Sequence, residues 1–241
     1  MRSIRKLILL GALLPAAYIG MSQAADHTDS PRASADPTAD ITDVFAWMSP
    51  DAERVNLIMG IGRDVAADAQ FSDAVQYVFR TRSLPRFSFA GSAPNETLIV
   101  CTFEVDQQVR CDIGGQVISG DASDPAGLES ADGRIRVFAG TRNDPFFFNG
   151  SGFRATARAV TAAAPDLSFD DSGCPALDDE TAAFLRQQLR TEPDGSPALD
   201  NFANFNILAL VLSVDKTLLT QGGPIVAVSG STHVRPMEAS P

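Results

Sequence analysis

Residues 97–105 and 109–118 constrain the fold more than any other part of the sequence. Both are rich in β-branched and aromatic residues, and a polar turn, Asp106-Gln107-Gln108, separates them. Setting Cys101 opposite Cys111 also sets Phe103 opposite Val109, Ile99 opposite Ile113 and Thr102 opposite Arg110. Apolar meets apolar on one face and polar meets polar on the other. A slip of one residue would turn every side chain to the wrong face. The two segments therefore predict an antiparallel hairpin with its two Cys directly opposed. Opposed Cys are close enough for a disulfide, and a bridge would leave Cys174 unpaired. Two small buried thiols are the alternative, and a metal pair has no His or further Cys nearby.

The rest of the chain repeats the strand pattern. Strands are expected at 41–48, 55–61, 74–82, 87–90, 134–140, 206–214 and 225–229, with Gly, Pro, Asn and Asp between them. No internal repeat of solenoid length is visible. The pattern changes after Phe148. Residues 152–164 are Ala-rich and end at Pro165, and 178–190 begin with acids and end with Arg190, so two helices are expected there. An acidic loop, 166–177, joins them and holds Cys174. A short turn of helix is expected at 216–219. The prediction is a mainly β fold, an antiparallel sandwich-like domain or open barrel with a two-helix insertion at 149–200.

The chain start carries an address. Arg2, Arg5 and Lys6 precede an apolar stretch at 7–21, and Ser22-Gln23-Ala24 puts small residues at a cleavage position. The stretch is short for a membrane span, and no later run approaches the roughly 18 apolar residues a span needs. Residues 1–24 read as a removable signal, with an uncleaved anchor as the alternative. The mature protein is expected to be periplasmic or secreted, which suits a disulfide. Residues 25–40 are polar and rich in Asp, Ala and Pro and read as an extended N-terminal arm; 41–241 read as one β-rich domain. The net charge is −11, and Lys216 is the only Lys after the signal. Such a chain lacks the cations that nucleic acid or an anionic membrane requires, so neither is an expected partner.

The search for chemical motifs returns mostly absences. There is no phosphate loop, no His-Glu-x-x-His, no Cys-x-x-Cys and no Gly-x-Ser-x-Gly, and Gly60-Ile61-Gly62 lacks the third glycine of a dinucleotide fingerprint. Four places remain. Cleavage after Ala24 would make His27 the third residue, with Asp26 beside it. A free amine, two amides and that imidazole fit the square plane of Cu(II) or Ni(II); a mobile terminal His is the bland reading. Asp40 and Asp43 bracket the start of the first strand, as oxygen ligands, a polar clamp or backbone ties. Arg142 and Asp144 precede Pro145 and three consecutive Phe, whose expected role is packing. Asp170-Asp171 and Asp178-Asp179-Glu180 could hold Ca²⁺ but lack the spacing of an EF-hand loop.

Several phrases together resemble a known family. These are the arm with His27 and Ser30-Pro31, the run Asp40-Ile41-Thr42-Asp43-Val44-Phe45-Ala46-Trp47, and Ala139-Gly140-Thr141-Arg142-Asn143-Asp144-Pro145-Phe146-Phe147-Phe148. A later run, Asn206-Ile207-Leu208-Ala209-Leu210-Val211-Leu212 with Gly230-Ser231-Thr232, adds to them. In this order they resemble the bacterial domain-of-unknown-function family 4331. The resemblance implies an exported, largely β protein with no assigned biochemical role. Phe45 and Trp47 stand where Tyr and Phe are commoner, Asn149 replaces an acid, and longer members continue past the last strand. The expected function is a binding module for a small polar ligand or a divalent metal, calcium or copper. The alternative is a metal-assisted hydrolase using an Asp cluster. The expected site brings Asp40, Asp43, Arg142 and Asp144 together. His27, Asp26, Asp43 and Asp144 are the metal candidates, and an Arg142–Asp tie is the structural alternative.

Overall fold

The structure is a computed structural model that describes residues 31–87 and 94–236. The signal at 1–24, Asp26, His27 and all but Phe87 of the strand expected at 87–90 lie outside the described residues. In chain order the elements are α1 (Pro31–Ala35), β1 (Ile41–Met48), β2 (Arg54–Ile61), β3 (Val75–Leu84), β4 (Asn95–Phe103), β5 (Val109–Ile113), β6 (Gln116–Gly120), β7 (Leu128–Glu129), β8 (Ile135–Asn143), α2 (Gly150–Ala163), α3 (Asp179–Arg190), β9 (Asn206–Asp215) and β10 (Ile225–Val234). The strands form two antiparallel sheets in the orders β1-β2-β9-β8-β7 and β10-β3-β4-β5-β6. The expected sandwich is present, with the two main helices between β8 and β9.

Alternation creates the core. Val55, Leu57, Met59 and Ile61 of β2 and Leu208, Leu210, Leu212 and Val214 of β9 turn inward from one sheet. Tyr77 and Phe79 of β3, with Ile99, Cys101 and Phe103 of β4, meet them from the other. The sheets stack edge over edge: β10 approaches β1 at Gly230, and β6 approaches β7 at Gly120. A Cβ on Gly230 would lie only 2.7 Å from Val44 Cγ2. Glycine is required there because the sandwich is pinched shut.

The Cys hairpin adopts the expected register, pairing Ile99, Cys101, Thr102 and Phe103 with Ile113, Cys111, Arg110 and Val109. Cys101 and Cys111 form a disulfide with Cα atoms 4.1 Å apart, and Cys174 is free and exposed. The closing turn bonds Glu104 N–H to Gln108 O, so Cys101 and Cys111 fall on the closely spaced, non-hydrogen-bonded rung. One correction concerns 109–118, expected as a single strand. It is two, β5 and β6. Gly114 and Gly115 take φ of 57° and 93°, which is the two-residue turn that glycine pairs favour, and Asp112 Oδ1 accepts the Gly115 N–H at 2.7 Å.

A second correction concerns the arm at 25–40, expected to be extended. Its described part folds back on the sandwich. Pro31 opens α1, and Asp36 caps a 3-10 turn at Pro37–Ala39 by accepting the Thr38 N–H at 3.0 Å. Two side chains of the second sheet tie that turn down: Tyr77 donates its hydroxyl to Thr38 O at 2.9 Å, and Thr232 donates to Ala39 O at 2.7 Å. Asp40 is buried, and its carbonyl accepts the Gly62 N–H.

The helical insertion is fastened by amides. Asn149 is buried and caps α2 by accepting the Gly152 N–H at 2.9 Å, while its Nδ2 donates to Leu189 O and Thr191 O at the end of α3. Asn201 Oδ1 accepts the Gly150 N–H at 2.7 Å, and the Asp200 carboxylate accepts from Phe148 and Phe202. Among the described residues no helix is long and apolar enough to cross a membrane.

Candidate binding groove and the fate of the acidic residues

The residues expected to converge lie at one end of one sheet, at two strands that are not neighbours. Ile41 of β1 pairs with Ile61, which pairs with Leu208, which pairs with Thr141 of β8. Asp40, Asp43, Arg142 and Asp144 therefore gather at the same rim. Strand order separates them, because β2 and β9 lie between β1 and β8. Three strand spacings of roughly 4.8 Å make about 14 Å. Asp43 stands in the row of Gly60, Ala209 and Gly140, and Asp144 lies four residues beyond Gly140. A common first shell needs oxygens within roughly 2.6 Å of one ion. Asp43 and Asp144 do not supply it, and among the described residues no group of three or more His, Cys, Asp or Glu could hold a metal.

The Arg142–Asp tie that would have held the arm to the sheet is absent among the described residues as well. The Arg142 guanidinium lies 3.9 Å from the Phe138 ring centroid and donates to Thr141 O at 2.9 Å. Phe138 in turn packs on Ile207 and Ala209 on the outer face of the sheet. Asp144 accepts the N–H of Phe146 at 2.9 Å. Pro145 fixes φ, and the carboxylate closes the turn that launches the Phe run. That run packs as expected in part: Phe146 and Phe148 contact Phe202, while Phe147 is exposed.

The same use of Asp recurs through the chain. The carboxylates of Asp51, Asp106, Asp121, Asp124, Asp132, Asp194 and Asp215 each accept the backbone N–H two residues on. In the acidic loop, Asp170 accepts from Ser172 and Cys174, and Asp178 caps α3 through the Thr181 N–H at 2.7 Å. Hydrogen bonding to the ionised form holds several of these groups below the ordinary Asp value. For Asp121 the Ser123 hydroxyl is the main cause, for Asp132 the Ser130 hydroxyl and for Asp215 the Thr217 hydroxyl. For Asp178 it is the Thr181 backbone. Asp144, Asp170 and Asp178, three of the acids considered as ligands, serve as turn or helix ties.

A sizeable concavity lies elsewhere, where sequence reading placed only strands. Beyond the pinch at Gly230 the two sheets splay, and a groove of about 710 Å³ opens between the edge strands β1 and β10. Ala46 and Met48 form one wall, and Val226 and Val228 form the other. Trp47, the only Trp of the chain, and Lys216 also line it. Trp47 is 48% exposed, and the Lys216 ammonium is held by Glu53 at 2.9 Å. A signal for this site did exist. Residues 225–234 form a long edge strand with no Pro, Lys, Asp or Glu, and sheet edges are ordinarily blunted by such residues.

Comparison with family models, with curated proteins and with solved structures finds no match.

Proposed function

We propose that this protein is an exported binding module that holds its ligand in the groove between β1 and β10 without turnover. The observation that carries the reading is a cavity of about 710 Å³ with predominantly apolar walls. Both its size and its apolar lining are typical of ligand sites. The walls favour a ligand with an apolar body over the polar or ionic ligand that the acidic residues suggested. Thr220 and Lys216 are the polar side chains on the lining, and Lys216 is engaged by Glu53, which is a poor inventory for catalysis. The metal-assisted hydrolase is less favoured, since Asp144 is committed to the Phe146 N–H and among the described residues no group of three or more His, Cys, Asp or Glu is placed to hold a metal. Export to the periplasm or medium belongs to the same proposal. It draws support from residues 1–24 and from the Cys101–Cys111 bridge, which suits an oxidising compartment. The resemblance to family 4331 agrees with an exported β protein and leaves the ligand open.

Trp47 supplies the test. An anionic naphthalene dye should bind at low micromolar to millimolar concentration and perturb Trp47 emission. Ala46→Arg, which fills the groove from an exposed position, should abolish the effect while leaving thermal unfolding in place. Dye binding that survives Ala46→Arg, or no response of Trp47, would refute the reading.

A further inference from the structure

The groove has a second property besides its apolar lining, which is that its walls are strand edges. Ser49 N–H bonds to Arg54 O, so the odd-numbered residues of β1 point their backbone groups at β2. Arg235 N–H bonds to Ala74 O, so the odd-numbered residues of β10 point theirs at β3. Ala46 and Met48 on one side, and Val226 and Val228 on the other, therefore turn N–H and C=O away from their own sheets. Among the described residues neither pair has a ladder partner on that side. Val226 and Val228 are half-buried, and an unpaired backbone edge against an apolar groove asks for hydrogen bonds that a rigid apolar ligand cannot make.

We infer that the groove takes an extended peptide segment, which adds to the free edge of β10 as a strand and turns alternate apolar side chains toward Ala46, Met48, Val226 and Val228. This rests on the reading of the groove as the ligand site. Strand addition satisfies the exposed backbone, and the period of two in a strand matches alternate wall residues. The open stretch at 225–228 admits about four residues at roughly 3.3 Å each. Further along, β1 departs from regular pairing at a bulge between Ile41 and Asp43, and the pinch at Gly230 closes the sandwich.

Charge selects the occupant. The rim beside Ala52 carries Asp51 and Glu53, and Lys216 answers only Glu53. The whole chain has a net charge of −11, so a second copy would bring like charge to the rim. A segment with apolar residues at alternate positions and a basic residue at the end beside Asp51 fits both the walls and the rim.

The test uses the full chain and a short acetylated, amidated peptide of alternating valine and threonine ending in lysine. The peptide should perturb Trp47 emission and displace the naphthalene dye. The same peptide methylated on the amides of alternate residues, in each of the two phases, tests the backbone contacts. One phase should bind about tenfold more weakly or worse, because it loses the edge hydrogen bonds while keeping the side chains. Ala46→Arg should abolish peptide binding with its unfolding midpoint retained. Equal binding of all three peptides alongside intact dye binding would overturn strand addition and leave the groove reading standing. Failure of dye and peptide alike would overturn both. A concentration-dependent dimer in sedimentation that the peptide does not dissolve would assign the edge to a second copy and overturn the inference.

Discussion

Replacing Tyr77 by Phe should uncouple the folded-back arm from the core, and the consequence depends on pH. The ring is fully buried, edge-on to Phe71 at 5.3 Å and to Phe103 at 5.6 Å, so Phe fits the same space. The lost groups are the hydroxyl donated to Thr38 O and the acceptor for Ser72 N–H at 3.1 Å. Two backbone groups left without partners cost about 2–3 kcal/mol near neutral pH. Burial pushes the Tyr77 hydroxyl up from 10.0 to about 12. A folded value above the unfolded one means that this site's stability is complete below pH 10. It is lost as pH rises from about 10 toward 12, because the unfolded chain ionises first. The difference between 10.0 and about 12 corresponds to roughly 2.7 kcal/mol. Wild type and Tyr77→Phe should therefore differ by about 2–3 kcal/mol in urea unfolding at pH 8 and converge toward pH 12. A chain starting at Ala25 contains one Tyr, so tyrosinate absorbance reports this residue alone. A tyrosinate midpoint near 10 in the folded protein, or a stability gap that does not narrow in alkali, would refute the reasoning.

Thiol counting under denaturation should find one free thiol per chain before reduction and three after. Replacing Cys101 and Cys111 together by Ala should cost roughly 3 kcal/mol by loop closure, and three thiols before reduction would rule out the bridge. Acid should destabilise the fold below about pH 4. Asp121, Asp132, Asp178 and Asp215 titrate lower in the folded chain than in the unfolded one, so their contribution is present above the ordinary Asp value and fades as pH falls through the lowered values. A urea midpoint that stays flat from about pH 5 to 2 would contradict this. Asn149→Asp keeps the cap on α2 but turns a carboxylate oxygen toward Leu189 O and Thr191 O. It should cost about 2–4 kcal/mol and speed proteolysis within 150–198, and unchanged cleavage there would contradict the amide clamp.

The parts of the fold legible in the sequence were those where a local pattern sets the answer. Cys101 and Cys111 fixed a register because the hydrophobic alternation on both sides agreed with it. The helices at 150–163 and 179–190 were visible from composition, from Pro165 and from acids at the start of the second. The turn at Gly114-Gly115 was missed because 109–118 reads as one β-rich run unless the glycine pair is given priority. The arm was misread because its structure comes from tertiary contacts: Tyr77 and Thr232 hold the turn at 37–39, and neither lies near it in sequence. The separation of Asp43 from Asp144 was hidden at the same level. Asp43 and Asp144 both sit at the correct end of strands, but strand order decides whether two ends are neighbours, and β9 enters the sheet from more than sixty residues downstream of β8.

Acid richness and the apolar groove follow from one division of labour along the chain. Turns that link many short strands need side chains that accept backbone N–H groups, and Asp supplies them at Asp51, Asp121, Asp132, Asp194 and Asp215. Charge is thereby drawn to strand ends, while the long edge of β10 is left without charge. A blunted β10, carrying Lys or Pro near Val228, would be the ordinary solution for an edge that faces water. The pinch at Gly230 shows that the two sheets can approach closely where the side chains are small. At Ala46, Met48, Val226 and Val228 the sheets instead part, although these residues are apolar and point toward the core. An apolar seam that could close and stays open, bounded by unpaired backbone, is the feature that distinguishes this sandwich. It is the ground for proposing the ligand site on the edge strands rather than among the acids of the turns.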